Sequence, residues 1–111
     1  MPRFVVLEHD WPFPHWDFML EDGPTLRAWR LLEAPGPFED VPAEPITRHR
    51  LAYLDYEGPV SSNRGTVRRM DDGTFDWVGE TEARVEVMLA GRLLVGRCTV
   101  DGGRWRLVPA G

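Results

Sequence analysis

The sequence predicts an all-β protein: a small antiparallel β-barrel of about eight short strands, with no significant helix. Three observations predict it. Apolar residues recur in short runs with two-residue alternation, as from Thr25 to Leu32 and from Ala83 to Leu89. Turn signals separate those runs at close intervals: Asp22-Gly23-Pro24, Glu57-Gly58-Pro59, Asp71-Asp72-Gly73 and Asp101-Gly102-Gly103. Ten Pro and eleven Gly in 111 residues favour short strands and turns over long helices.

Each element follows from its residues. Arg3 to His9 is a strand that is apolar on both faces over Phe4 to Leu7, as in a barrel or covered sheet. Trp11-Pro12-Phe13-Pro14 is a turn, and His15 to Glu21 the second strand. Asp22-Gly23-Pro24 makes a tight hairpin into Thr25 to Leu32. There Leu26, Ala28, Arg30 and Leu32 share one side, and Arg27, Trp29 and Leu31 the other. Glu33 to Pro45, with four prolines, is expected to be a surface loop. Strand character resumes from Ile46 to Tyr56 and closes at Glu57-Gly58-Pro59. A polar loop, Ser61 to Gly65, leads to a hairpin of Thr66 to Met70 and Thr74 to Val78 around Asp71-Asp72-Gly73. Strands at Ala83 to Leu89, Arg92 to Val100 and Arg104 to Val108 follow, joined by turns at Gly91 and Asp101-Gly102-Gly103.

The length suits one small domain spanning residues 1–111. Five Trp and five Phe supply much of its core volume. A net charge of −5 excludes nucleic-acid binding through bulk electrostatics. The charge is uneven, however: Arg48, Arg50, Arg64, Arg68 and Arg69 stand against only Asp55 and Glu57 between Thr47 and Arg69. That stretch is either a local basic face or a set of outward-facing strand arginines. Cys98 is the only cysteine, so no intrachain disulfide forms, and its apolar neighbours make it a buried, inert thiol. No signal peptide and no transmembrane stretch is legible, and a cytoplasmic protein is expected.

The candidate site lies in the first hairpin. His15 and Asp17 are two residues apart, so in a strand they project from one face, with Met19 and Glu21 further along it. Trp16, Phe18 and Leu20 point the other way, as a core face does. His9 ends the preceding strand, and a hairpin through Trp11 to Pro14 brings it back to the same point. Two imidazoles and a carboxylate are a suitable ligand set for Mn, Fe or Zn. The alternative is a solvated pair, or an imidazole simply held by a carboxylate. Further on, His49 and Tyr53 share one face of their strand but stand about 13 Å apart at 3.3 Å per residue. They meet at one ligand only if the strand bends or the ligand spans them.

These residues carry a resemblance. Arg3-Phe-Val-Val-x-Glu-His-Asp10, His15-aromatic-Asp17-Phe18, Leu20-Glu21, Leu26-x-x-Trp29 and His49-x-Leu-x-Tyr53-x-x-aromatic-Glu57-Gly58 resemble the 3′-phosphoesterase domain of bacterial DNA ligase D. Gly65-Thr66-Val67, Asp72-Gly73-Thr74-Phe75, Gly91-x-Leu93, Gly96-Arg97, Trp105 and Leu107 extend it over nearly the whole chain. The chain is similar to the small stand-alone forms of that domain. The resemblance implies a compact β-barrel that removes a 3′-phosphate, or trims a terminal ribonucleotide, from DNA 3′ ends in non-homologous end joining. It implies Mn²⁺ or another divalent metal as cofactor, and a separate DNA ligase or polymerase as partner. Carried over by position, His9, His15 and Asp17 are metal ligands, and His49 and Tyr53 contact phosphate or act in proton transfer.

The chain also departs from that pattern. The family's arginine after the His-aromatic-Asp-Phe motif is Met19 here, and its lysine near the end of the third strand is Glu33. Trp11 to Pro14 replaces two basic residues of the first turn, and the loop at Ser61 to Arg64 is shortened. Arg68, Arg69 and Arg27 are the candidate substitutes for the missing phosphate donors. Two further readings therefore stand beside DNA 3′-end repair. One is the same metal chemistry on a smaller phosphoester. The other is a catalytically weak or inactive barrel that binds nucleic-acid ends or an end-joining partner.

Overall fold

A computed structural model describes residues 1–109. Its strands are β1 (Arg3–His9), β2 (His15–Asp22), β3 (Thr25–Leu31), β4 (Asp40–Arg50), β5 (Gly58–Pro59), β6 (Thr66–Glu80), β7 (Arg84–Gly91), β8 (Val95–Asp101) and β9 (Arg104–Pro109). All pair antiparallel in the order β1-β2-β3-β4-β9-β8-β7-β6, and β6 pairs back onto β1. The result is a closed ring of eight strands with the two-residue β5 added on β6, as the alternation and turn signals predict. Among the described residues the single helical element is a 3₁₀ turn, η1 (Leu51–Leu54). Among the described residues no helix is long and apolar enough to cross a membrane.

Alternation divides the side chains into two cores. Phe4, Val6, Phe18, Leu20, Trp29, Leu31, Phe75 and Trp105 fill the ring interior. The Phe18 ring lies 5.9 Å from Trp29 and 6.0 Å from Trp105 between centroids, the tilted and edge contacts that aromatic rings favour. Cys98 is sealed there, and burial pushes its thiol pKa far up, so it is inert as expected. The other faces of β1, β2 and β3 form a second, smaller cluster outside the ring: Val5, Leu7, Met19, Leu26 and Ala28, capped by Leu54 of η1 and by Val67. This explains why Phe4 to Leu7 is apolar at every position. The strand is covered on both sides.

Three expectations are corrected. The first concerns Asp71-Asp72-Gly73, which is no hairpin: β6 runs unbroken from Thr66 to Glu80. Its register on β1 shifts between Val6 and Leu7, leaving Met70 as an extra, bulged residue. Asp71 then turns inward, and its carboxylate accepts the backbone N–H groups of Arg92, Leu93 and Leu94 at 2.9, 3.0 and 2.8 Å. The polar triplet thus serves another turn, the one between β7 and β8. Gly91 packs against it so closely that a Cβ there would stand 2.6 Å from Phe4 Cζ.

The second correction is that the proline-rich segment is a loop only as far as Glu39; Asp40 already belongs to β4. Pro45 is tolerated because β4 pairs with β9 only over Asp40 to Pro42, so beyond Pro42 the β9 side is largely free of ladder bonds. The third is that the strand expected from Ile46 to Tyr56 stops at Arg50. Arg50 pairs with Thr25, the first residue of β3, and beyond it no partner strand remains. The chain curls into η1 instead, driving Leu54 into the outer cluster.

Candidate active site

The site lies on the outer face of the first hairpin, not inside the ring. His9 pairs with His15 in the β1–β2 register, and Leu7 with Asp17. The imidazoles stand 4.8 Å apart between centroids. Asp17 sits between them, Oδ1 3.1 Å from His15 Nε2 and Oδ2 3.4 Å from His9 Nδ1. One ligand atom from each of the three lies within 4.8 Å of the others. His15 and Asp17 are buried.

Backbone carbonyls decide which nitrogens face inward. His15 Nδ1 lies 2.9 Å from Phe13 O, and His9 Nε2 lies 2.9 Å from Arg64 O. A carbonyl only accepts, so each of those nitrogens carries the ring proton and donates it. In the neutral rings, His15 Nε2 and His9 Nδ1 then present lone pairs toward the carboxylate. Three acceptors face one another, and Asp17 Oδ1 is buried without a hydrogen bond, since its short approach to His15 Nε2 lacks bonding geometry. Lone pairs crowded together repel unless a cation sits among them. This donor set, with both outer nitrogens anchored, fits a divalent metal ion.

The loop that anchors His9 is itself held by Asp10. Asp10 Oδ1 accepts the Thr66 N–H at 2.7 Å. Gly65 packs flat on the hairpin at φ +77°, where a Cβ would lie 2.6 Å from Trp11 Cβ. A larger residue there would push Arg64 O off His9.

A cavity of about 330 Å³ opens over these three side chains, and its wall includes Met19, Arg30, His49, Tyr53 and Arg64. His49 and Tyr53 thus reach the same space despite their spacing. The 3₁₀ turn folds Tyr53 back, and the rings stand 5.5 Å apart, edge to face. His49 Nδ1 donates to Thr47 O at 2.7 Å, which leaves Nε2 without a protein partner. Arg3 secures the turn: its guanidinium donates to both Asp55 oxygens, at 2.6 and 3.2 Å, and holds that carboxyl below the usual range. A larger cleft of about 530 Å³, between Arg27, Trp29, Pro45 and Arg48, has no cluster of ligating side chains.

The remaining sequence candidates stand apart from this cavity. Arg68 pairs with Glu8 at 3.3 Å, on the strand face opposite His9. Arg69 shares the outer face with Leu7 but does not line the cavity; its backbone N–H donates to Glu57 at 2.9 Å. Arg27 is tied to Glu80 at 2.8 Å beside the larger cleft. Glu33 is exposed beyond β3 and is not part of the wall. The arginines that do line it are Arg30 and Arg64, and Arg30 was not singled out in the sequence. A signal for it was present: the two-residue turn Gly23-Pro24 pairs Asp22 with Thr25, and stepping back along both strands pairs Asp17 with Arg30.

A closed antiparallel ring carries a His-His-Asp cluster, with His15 and Asp17 buried, under a small cavity, and this group could hold a metal ion. A family model described as the DNA Ligase D 3′-phosphoesterase domain matches residues 7–102, and the chain belongs to that family. Membership supports a phosphoesterase role in DNA end repair. No curated protein matches the chain.

Proposed function

We propose that this protein is a metal-dependent phosphoesterase that removes a 3′-phosphate, or trims a terminal ribonucleotide, from DNA ends, leaving a 3′-hydroxyl for a separate ligase or polymerase. The observation that carries the reading is the cluster of three acceptors whose outer ring nitrogens are already committed to backbone carbonyls. His9 Nδ1, His15 Nε2 and Asp17 would hold the metal, with Mn²⁺ the expected ion; when bound it would supply Lewis-acid chemistry, polarising a phosphoryl oxygen and activating water. As an imidazolium, His49 keeps its Nδ1 proton on Thr47 O and delivers its Nε2 proton to the departing 3′-oxygen, which leaves the ring neutral. Tyr53 donates its hydroxyl proton to a non-bridging oxygen. The buried side chains of Leu7, Met19 and Val67 give the cavity an apolar wall, and the low dielectric there strengthens each polar contact.

The experiment is phosphate release from a duplex oligonucleotide bearing a 3′-phosphate, with and without Mn²⁺, in wild type and His9→Ala. Release that needs the metal and is lost in His9→Ala is expected. Equal release from both proteins would refute the site. The net charge of −5 favours one second reading, the same chemistry on a smaller phosphoester. Tight Mn²⁺ binding without release from DNA would select it.

A further inference from the structure

Arg30 is the uncommitted charge of the cavity. Among the described residues, only Arg30, Arg50, Arg64 and Arg69 stand outside ion pairs. Arg50 and Arg69 do not line the cavity. Arg64 spends its guanidinium on Ser61, donating to the carbonyl at 2.8 Å and to the hydroxyl at 3.0 Å. Arg30 alone lines the cavity without a protein acceptor, and its Nε is buried with no hydrogen bond.

Its surroundings hold it without satisfying it. The guanidinium lies over the Phe13 ring at 5.4 Å. Stacking on a ring face orients the guanidinium plane but uses none of its N–H donors. Asp17 stands directly across the β2–β3 ladder, yet its oxygens face the two imidazoles, and no ion pair with Arg30 forms. Met19, next along that face, offers no donor. A half-buried guanidinium with free donors and no counter-ion is costly, and a tetrahedral oxyanion matches its fork.

We propose that Arg30 is the phosphate-binding residue of this site, gripping two oxygens of a phosphate monoester above the His9–His15–Asp17 cluster. The inference rests on the phosphoesterase reading for its substrate, but not for its anion. Arg30 acts on the phosphoryl group and leaves metal binding to the other three residues.

The test is calorimetric titration of inorganic phosphate into the 111-residue chain, with and without Mn²⁺. Wild type is compared with Arg30→Gln, Arg30→Lys and, as a control for net charge, Arg106→Ala. Arg30→Gln keeps a stem over Phe13, and its circular dichroism reports folding. Loss of a charged donor pair predicts phosphate binding about 10- to 100-fold weaker in Arg30→Gln, with part recovered in Arg30→Lys. Arg106→Ala binds as wild type, and Mn²⁺ affinity is unchanged throughout. Phosphate affinity in Arg30→Gln within threefold of wild type would overturn the proposal. An equal loss of Mn²⁺ affinity would also overturn it, by making Arg30 a support of the metal cluster. If wild type binds phosphate through Arg30 but releases none from DNA, the DNA reading fails and the assignment of Arg30 stands.

Discussion

Asp71 and Asp17 are both carboxylates sealed from solvent, and both sit beside a chain reversal. Their partners differ in kind. Asp71 is surrounded by donors, three backbone N–H groups at 2.8 to 3.0 Å from the turn between β7 and β8. Asp17 is surrounded by acceptors, two ring nitrogens whose protons point elsewhere, and one of its oxygens has no hydrogen bond. The first carboxylate completes the fold. The second is left incomplete by it. Burial alone therefore does not mark a functional carboxylate; the sign of what faces it does.

Substitution can break this contrast. The largest effect is expected for Asp17→Asn. It should lower metal-dependent activity by more than about 10³-fold, since it removes a charged ligand from the centre. Unfolding in urea should show stability unchanged within about 1 kcal/mol, because the amide can donate to one of the facing lone pairs. A loss above about 2 kcal/mol would make Asp17 structural and end the comparison.

Asp71→Ala should do the reverse. Three backbone donors lose their acceptor, a cost of about 3 kcal/mol or more in urea unfolding. Mn²⁺ affinity of the folded fraction, read by calorimetry, should stay within threefold. Gly91→Ala attacks the same turn sterically, by placing a methyl against Phe4 and the Leu94 carbonyl. About 1–3 kcal/mol of destabilisation is expected, read as a lower Tm with metal affinity preserved.

The smallest effect belongs to a third, exposed carboxylate. The Arg3 hydrogen bonds lower the folded-state pKa of Asp55 below its ordinary 3.8. Its stabilising contribution is therefore complete above that ordinary value and is lost as pH falls through the lowered one. Wild type and Asp55→Asn should converge in stability as the solution is acidified from pH 5 toward pH 2. The gap at pH 5 should be small, because the pair is solvent-screened. A gap that widened on acidification would refute the assignment.

Much of the molecule is legible in its residues because the signals are local. The alternation of β2 and β3 and the tight turn between them specify which side chains share a face. From this the convergence of His15 and Asp17 follows directly, and that of His9 follows once the hairpin closes. Asp71-Asp72-Gly73 misleads for a physical reason. A polar triplet with glycine has the composition of a turn, and nothing nearby in sequence reveals that its carboxylate serves N–H groups some twenty residues later.

Strand class, the hairpin faces and the convergence of His9, His15 and Asp17 can be read from the residues alone, because side-chain alternation and turn chemistry act over a few residues. The tertiary structure alone decided three further matters. It set where β4 loses its partner and curls to bring Tyr53 to His49, which face of the ring the cavity occupies, and that Arg30, not Arg68 or Arg69, lines it. Each depends on ring closure and on register between strands, where a shift of one residue moves a side chain to the opposite face.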